Sequence, residues 1–412
     1  MRIFKRSFFR LLPLLAIIGP GIISGSVDND AGGITTYSVA GANFGYSLLW
    51  ILFLTTFALA ITQEIGARMG LATGKGLASL IREKFGIRWT AIIMAILFFA
   101  NIGTIAAEFA GIAAAFEIFH ISRIISVSVM AISIFFLVLK GNFKRLETLF
   151  LFSSAFYIVY IISASVAHPN WGEAVKSLVV PSFQFNKAYL LTMIATIGTT
   201  ITPWGQFFIQ DYVVDKKLTK EDLPIERGDV FFGSFLTNFI SFFIIIACAA
   251  TIFTHGRMIT DAKDAALALE PLVGNFAGIL FAFGLLNASI FGAALVPVST
   301  AYVITEAFGL ESGLNFNFKD APHFYSLLAL LLIAGALLVI LPFIPLLNIL
   351  FITQAINAVL LLPILIFVFI LSNDKRLLGE YINSKLINIV VILTFTAIAI
   401  SSIIYLLSLF LH

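Results

Sequence analysis

Apolar residues run along this chain in long blocks separated by short polar connections, and the blocks match the length of a bilayer-crossing helix, about 20 residues. The pattern predicts eleven such segments, at 11–40, 44–68, 89–118, 122–140, 147–167, 188–212, 228–254, 274–305, 325–342, 347–372 and 386–411. The connections around 168–187, 213–229, 255–273 and 306–324 have room for a short surface helix at most. The expected fold class is therefore an all-α polytopic membrane protein forming one transmembrane domain.

Composition strengthens this picture. The 412 residues are 60% hydrophobic and 11% charged, too apolar for a water-facing globule, and the 43 Phe suit lipid-facing and helix-packing surfaces. Membrane lipid is thus the expected solvent. The net charge of +3 comes from scattered basic residues rather than one basic face, which argues against a nucleic-acid partner. The single cysteine, Cys248, excludes an intrachain disulfide framework, and no obligate protein partner is evident.

Charge also suggests an orientation. Twenty of the 25 Lys and Arg residues fall in connections on the side of the N-terminus, among them Arg2, Lys5, Lys75, Arg82, Lys144, Lys216 and Lys375. Only Arg123, Lys176, Lys187, Arg257 and Lys263 fall on the other side. The positive-inside rule then predicts a cytoplasmic N-terminus and an extracytoplasmic C-terminus in the cell membrane. The basic, then apolar, start resembles a secretory signal, but the apolar stretch continues past Gly19-Pro20-Gly21 without a cleavage motif and is read as the first span.

That span carries the most informative polar cluster, Asp28-Asn29-Asp30-Ala31-Gly32-Gly33. A carboxylate at mid-membrane costs ~3 kcal/mol or more unless partnered, and each glycine weakens the helix by about 1 kcal/mol. An interruption around Asp30, with Gly32 and Gly33 as helix-break residues, is expected. The sixth segment has a matching interruption at Thr202-Pro203-Trp204-Gly205, where Pro203 and Gly205 break the helix. Interrupted helices in corresponding positions of two halves point to the substrate site of a secondary transporter. The halves would be 11–167 and 188–372, a LeuT-like 5+5 inverted repeat with broken helices 1 and 6, and 386–411 would be one extra helix. Ordinary kinks in a packed bundle are the bland alternative.

The stretch GPGIISGSVDNDAGGITTYSVAGANFGYSLLW resembles the first helix of the natural resistance-associated macrophage protein (NRAMP) family, and RMGLATGKGLASLIREKFG at 68–86 looks like the loop after its second helix. The resemblance implies a divalent-metal transporter with no cofactor, the metal being the substrate. Manganese and iron transporters of the family carry Asp-Pro-Gly-Asn and Met-Pro-His at the two breaks. Here these positions read Asp30-Ala31-Gly32-Gly33 and Thr202-Pro203-Trp204, similar to the NRAMP-related magnesium transporters, a branch that lacks that methionine. Removing a soft thioether removes a filter favouring transition metals, and oxygen ligands suit Mg²⁺ and Mn²⁺. Because Mg²⁺ keeps several waters, a roomier site is expected, which the small Gly33 and Thr202 fit.

The expected ligands are Asp30 as the central charge, Thr202, the backbone near Thr199, and Asn29 and Gln354 directly or through water. Gln354 matches a helix-ten glutamine of the family that approaches the metal. Asp28 ranks below Asp30, as a vestibule residue. Glu108 aligns with a family glutamate linked to proton passage; with Trp204 where a proton-accepting histidine stands, it is a proton-handling or a structural acid, and coupling to protons is not expected. Glu64 and Arg68, one turn apart, read as a helix-stabilising pair. The leading expectation is alternating-access uptake of Mg²⁺ and Mn²⁺ without proton coupling. The alternatives are a proton-coupled Mn²⁺/Fe²⁺ importer and, in another class, an amino-acid transporter of the same architecture, whose substrate carboxylate Asp30 would repel. No intramembrane histidine is available for a membrane enzyme.

Overall fold

A computed structural model of the chain describes residues 29–140, 155–314, 316–341 and 343–410. All regular structure among them is helical. Helices α1 (Ala31–Phe44), α2 (Leu49–Thr73), α3 (Leu77–Phe85), α4 (Ile87–Glu117), α5 (Arg123–Lys140), α6 (Ile158–Val166) and α7 (Trp171–Val179) make up the first part. They are followed by α8 (Lys187–Thr200), α9 (Pro203–Asp215), α10 (Leu223–Thr251), α11 (Ala277–Ala307), α12 (Pro322–Ile340), α13 (Leu346–Ser372) and α14 (Lys385–Phe410). Seven of the described helices are long and apolar enough to cross a membrane: α2, α4, α10, α11, α12, α13 and α14. The first half of segment one, with Asp28, and the start of segment five lie outside the described residues.

The surface and interior are arranged as lipid requires. Large apolar side chains such as Phe57, Phe99, Ile132, Phe136 and Leu393 are exposed, while Asn29, Glu108, Arg68, Gln354 and Asn357 are buried. Inside the bundle, α4 is the hub, packed against α11, α13 and α12, and α10 closes on α1 and α2. Polar side chains bond across these interfaces: Asn101 donates to Thr300 at 2.7 Å, and Asn357 donates to Thr104 at 2.9 Å. Such bonds satisfy groups that hydrocarbon cannot. Only 17% of the apolar stretch of α14 is buried, against 44–67% in the other six spans, so α14 lies at the periphery.

One connection is more ordered than the sequence reading expects, and another matches it. The loop after α2 contains α3, a short amphipathic helix that buries Leu77, Ala78, Leu80 and Ile81. Gly74, at φ 66°, ends α2 in the left-handed region that favours glycine, which lets the chain reverse into it. In the connection at 168–187, α7 is the short surface helix that its length permits, capped by the Asn170 side chain on Glu173 N.

The Glu64–Arg68 pair does more than brace one helix. Arg68 is buried; its Nε reaches Glu64 at 3.0 Å, its Nη2 donates to Asn383 Oδ1 at 2.7 Å, and its Nη1 donates to the Tyr381 carbonyl. Arg227 of α10 joins Glu64 at 2.8 Å. This network ties α2 and α10 to the connection that leads into α14.

Candidate functional site

At both expected breaks a helix starts on a residue that is itself its cap. Asp30 has extended backbone, at φ −66° and ψ −176°, and its Oδ1 accepts the Gly33 amide at 2.6 Å, so α1 starts at Ala31. Thr202 has extended backbone, and its Oγ1 accepts the Gly205 amide at 3.3 Å, so α9 starts at Pro203. Both caps bond an orphan donor of the first turn. Pro203 suits the first helical position, where its missing N–H costs nothing.

The missing hydrogen matters more on the other side of the break. In a continuous helix the amide of residue 203 would donate to the carbonyl of residue 199, and proline has no amide hydrogen to give. The Thr199 carbonyl therefore lacks its intrahelical donor, and the last carbonyls of α8 form a partly negative helix end. The Thr199 hydroxyl is buried without a hydrogen-bond partner.

The expected break residues divide on this geometry. Pro203 stands at the interruption. Gly32, Gly33 and Gly205 lie inside the first turns of α1 and α9. The reason for Gly32 is space: a methyl group there would overlap the Gln354 side-chain amide. Gly198 near the end of α8 likewise abuts the Gln354 carbonyl, where a methyl would collide. Gln354 thus touches both interrupted segments, its side chain at one and its backbone at the other.

Gln354 is fully buried, and its Oε1 accepts from Asn357 at 3.2 Å while its Nε2 has no partner. Turning this amide over together with that of Asn357 would present Gln354 Oε1 to α1 and keep their mutual bond, with Nε2 donating to Asn357 Oδ1, an arrangement favoured by positive charge beside Asp30. Tyr37 and Thr200 add a further tie between α1 and α8, their hydroxyls 2.9 Å apart.

Asn29 is not brought into this group. Its Nδ2 donates to Thr237 Oγ1 at 2.7 Å and to the Thr237 carbonyl at 3.1 Å, and its Oδ1 accepts from Ser241 at 2.9 Å. Its carbonyl accepts from Tyr157 at 2.7 Å. Every polar group of the side chain is engaged with α10, which makes Asn29 the anchor that holds the cap of α1 in place. Thr237, Ser241 and Tyr157 carry no signal in the sequence, since single hydroxyls in apolar segments are ordinary.

Glu108, in contrast, belongs to the site. It is fully buried on α4 against Gly292 of α11, where a methyl would overlap its carboxyl, and its Oε2 faces the Ala31 amide at 3.5 Å. The Asp30 and Glu108 carboxyls contact each other directly, and Glu108 Oε1 has no hydrogen-bond partner in the protein. No ion pair with Lys or Arg involves either acid among the described residues. Two adjoining buried carboxyls are costly to ionise together, so a cation between them would be favoured. Trp204 is buried edge-on to Phe208, with ring centroids 5.3 Å apart, and its Nε1 has no partner.

The chemistry available is a two-carboxyl centre flanked by hydroxyl, amide and carbonyl groups, to which the described residues named above add no sulfur and no imidazole. Among the described residues no three His, Cys, Asp or Glu side chains group closely enough to hold a bare ion. A cation here would retain part of its water shell, as Mg²⁺ characteristically does.

The sequence profile of the family described as Natural resistance-associated macrophage protein-like (Nramp) matches residues 21–408. A curated relative, the divalent metal cation transporter MntH of Ralstonia nicotianae, is 30% identical over 295 residues. That alignment covers 67% of this chain and 65% of the relative, so it spans less than two thirds of the relative's length. Among solved structures, the Eremococcus coleocola manganese transporter, crystallised with an aromatic bis-isothiourea substituted compound, superposes with a TM-score of 0.79 at 20% identity. It covers 98% of this chain and 87% of that one. MhsT in complex with L-phenylalanine superposes with a TM-score of 0.59 at 14% identity, over 95% and 97% of the two chains. At these identities the likeness establishes a shared all-helical, LeuT-like fold.

Proposed function

This chain belongs to the Nramp family, whose members are transporters and not enzymes, and from that premise we propose that it takes up divalent cations, Mg²⁺ and Mn²⁺, by alternating access without proton coupling. The observation that carries the reading is the Asp30–Glu108 carboxyl pair beside two capped helix starts, with Thr202 and Trp204 where a soft ligand and a histidine would stand. Asp30 supplies the central charge. Thr202, the Thr199 carbonyl, the backbone at Gly33 and the Gln354 amide contribute directly or through water. The fold alone would also admit an amino acid, but two adjoining acids repel a substrate carboxylate.

The breaks support the mechanism. A helix interrupted at mid-membrane can move one half while the other stays packed, so α9 can shift against α8 while the ion position is kept. The halves are 11–167 and 188–372, with 386–411 appended, in a plasma-membrane protein whose N-terminus is cytoplasmic and whose C-terminus is extracytoplasmic. The inside-negative potential drives uptake with about 2.3 kcal/mol per charge per 100 mV.

Proteoliposomes decide the reading: Mg²⁺ and Mn²⁺ should enter with no change of lumenal pH, and failure of Mg²⁺ to move would refute it. One observation favours a second reading, proton-coupled Mn²⁺ import. Glu108 touches Asp30, so a cation arriving at Asp30 could release a proton held between them. Metal-dependent proton movement abolished by Glu108→Gln would select that alternative.

A further inference from the structure

Away from the two breaks, three acids from two helices converge on the turn that follows α2. Asp211 and Asp215 sit one turn apart near the end of α9, and Glu306 lies at the end of α11. A methyl group on Gly76 would run into Asp211 Oδ1 and lie 3.0 and 3.1 Å from Oε1 and Oε2 of Glu306, so the two carboxylates face the same bare stretch of backbone. Asp215 is close enough to repel both. Glu306 Oε1 accepts from Ser79 at 2.7 Å, and Asp215 Oδ1 accepts from Tyr302 at 2.9 Å.

Asp211 is the anomalous member. It is 6% exposed, and neither of its carboxylate oxygens has a hydrogen-bond partner of normal geometry, although the Leu77 amide at the start of α3 lies beside it. No ion pair among the described residues involves Asp211, Asp215 or Glu306. Lys75 pairs with Glu83 at 2.6 Å, Arg82 donates to the Ala307 carbonyl at 2.9 Å, and Lys216 lies over the Tyr212 ring at 4.8 Å. A buried carboxylate without a counter-charge is costly. Exposure increases outward from Asp211, which is buried, through the half-buried Glu306 to the exposed Asp215, which leaves the group open to water on one side.

We propose that Asp211, Glu306 and Asp215 hold a hydrated divalent cation at a second position, separate from Asp30, and that the bound ion fastens α9 to α11 and to the turn at 74–76. The donors are oxygen only, which suits hard cations such as Mg²⁺ and Mn²⁺. Asp211 and Glu306 would face the ion from the protein side, and water would complete its shell through the open side beside Asp215. Gln210 reinforces the junction, donating to the Lys75 carbonyl at 2.8 Å. The inference rests on the transport reading only for the identity of the ion. An ion here would stabilise the docked arrangement of α9, so high cation concentration at this end would slow movement of the broken segment.

The test uses full-length protein in detergent, titrated with MgCl₂ and with MnCl₂ by calorimetry and by thermal melting. Asp30→Ala should retain a binding event and a cation-dependent rise in Tm, as expected for a ligand that binds only the folded state. Adding Asp211→Asn and Glu306→Gln in that background should abolish both. The same two substitutions with Asp30 intact should leave the central binding event. Absence of Mg²⁺ and Mn²⁺ binding in Asp30→Ala, or binding unchanged by the added substitutions, would overturn the proposal. Should the combined variant not fold, Asp215→Asn in the Asp30→Ala background should weaken the residual binding several-fold, and unchanged affinity would overturn it. Failure of the transport reading is distinguishable, because it appears as absent uptake by the wild-type protein while the Asp30→Ala titration still decides the second position.

Discussion

The Gln354 side-chain amide rests directly on the backbone of Gly32, in space that any Cβ at that position would fill. A residue of α13 is thereby set against the first turn of α1, two positions from the Asp30 cap. Gly32→Ala should displace Gln354 and destabilise the protein by about 1–3 kcal/mol, as overpacking does. The companion Gln354→Ala should relieve the clash, so the double variant should melt closer to wild type than the sum of the two single effects. Additive melting shifts would show that the contact does not govern the position.

Asp30→Ala should remove high-affinity binding of Mg²⁺ and Mn²⁺ at the breaks, with a loss of tenfold or more, ~1.4 kcal/mol. Gly33→Ala, which keeps the backbone amide that Asp30 accepts, should lose far less. Isothermal titration of both variants checks this, and equal losses would mean that the backbone at this turn matters as much as the carboxylate.

Asn29→Ala should cost about 1–2 kcal/mol, because it strands buried groups of Thr237 and Ser241 that the asparagine now partners. The Mg²⁺ to Mn²⁺ uptake ratio should stay the same. A changed ratio with an unchanged Tm would restore Asn29 to the ligand set.

Arg68→Met should lower stability by about 3 kcal/mol or more, the range for breaking a buried charge pair. The loss should be felt first in the connection at 379–384, which Arg68 holds through Tyr381 and Asn383. Limited proteolysis should cut this connection in the variant well before it cuts the bundle; identical cleavage kinetics would refute the tie.

The link between α3 and the connection after α13 gives a pH dependence of known sign. Lys84 bonds Asp374 at 2.6 Å and, with the Arg376 amide, holds its carboxyl below the ordinary carboxylate range. A depressed folded-state pKa contributes stability above the unfolded value, about 3.9, that fades as pH falls through the lower folded value. The pair is partly exposed, so the contribution should stay below about 1 kcal/mol. Asp374→Asn should lower Tm slightly at neutral pH and converge with wild type in acid; a gap that widens in acid would contradict the assignment.

The parts of the site legible in the sequence are those where one residue contradicts its surroundings. Asp30 in an apolar segment and Pro203 inside another marked the two breaks, and Gln354 stood out as a polar residue in an apolar helix. Gly32 is harder to read, because glycine marks either a loose backbone or a close neighbour, and only the position of Gln354 distinguishes the two. Asn29, expected at the ion directly or through water, is the neighbour of Asp30 in sequence, yet the two side chains point different ways, one into the cap and one toward α10. The partnership of Glu108 with Asp30 depends on the packing of α4 against α1. Helix α3 was hidden by Gly74-Lys75-Gly76, which reads as an open loop, and the acids that meet at Gly76 come from distant parts of the chain.

Proline at position 203 has a mechanical consequence. A swivel at an intact helix ruptures a backbone hydrogen bond each time it occurs, which makes the motion slow and temperature-sensitive. At the junction of α8 and α9 the bond that would resist turning was never there, so a rotation at this joint would meet torsional and packing forces alone. Restoring an N–H by Pro203→Ala would let residue 203 clasp the Thr199 oxygen, and a transporter so altered should stall while remaining folded.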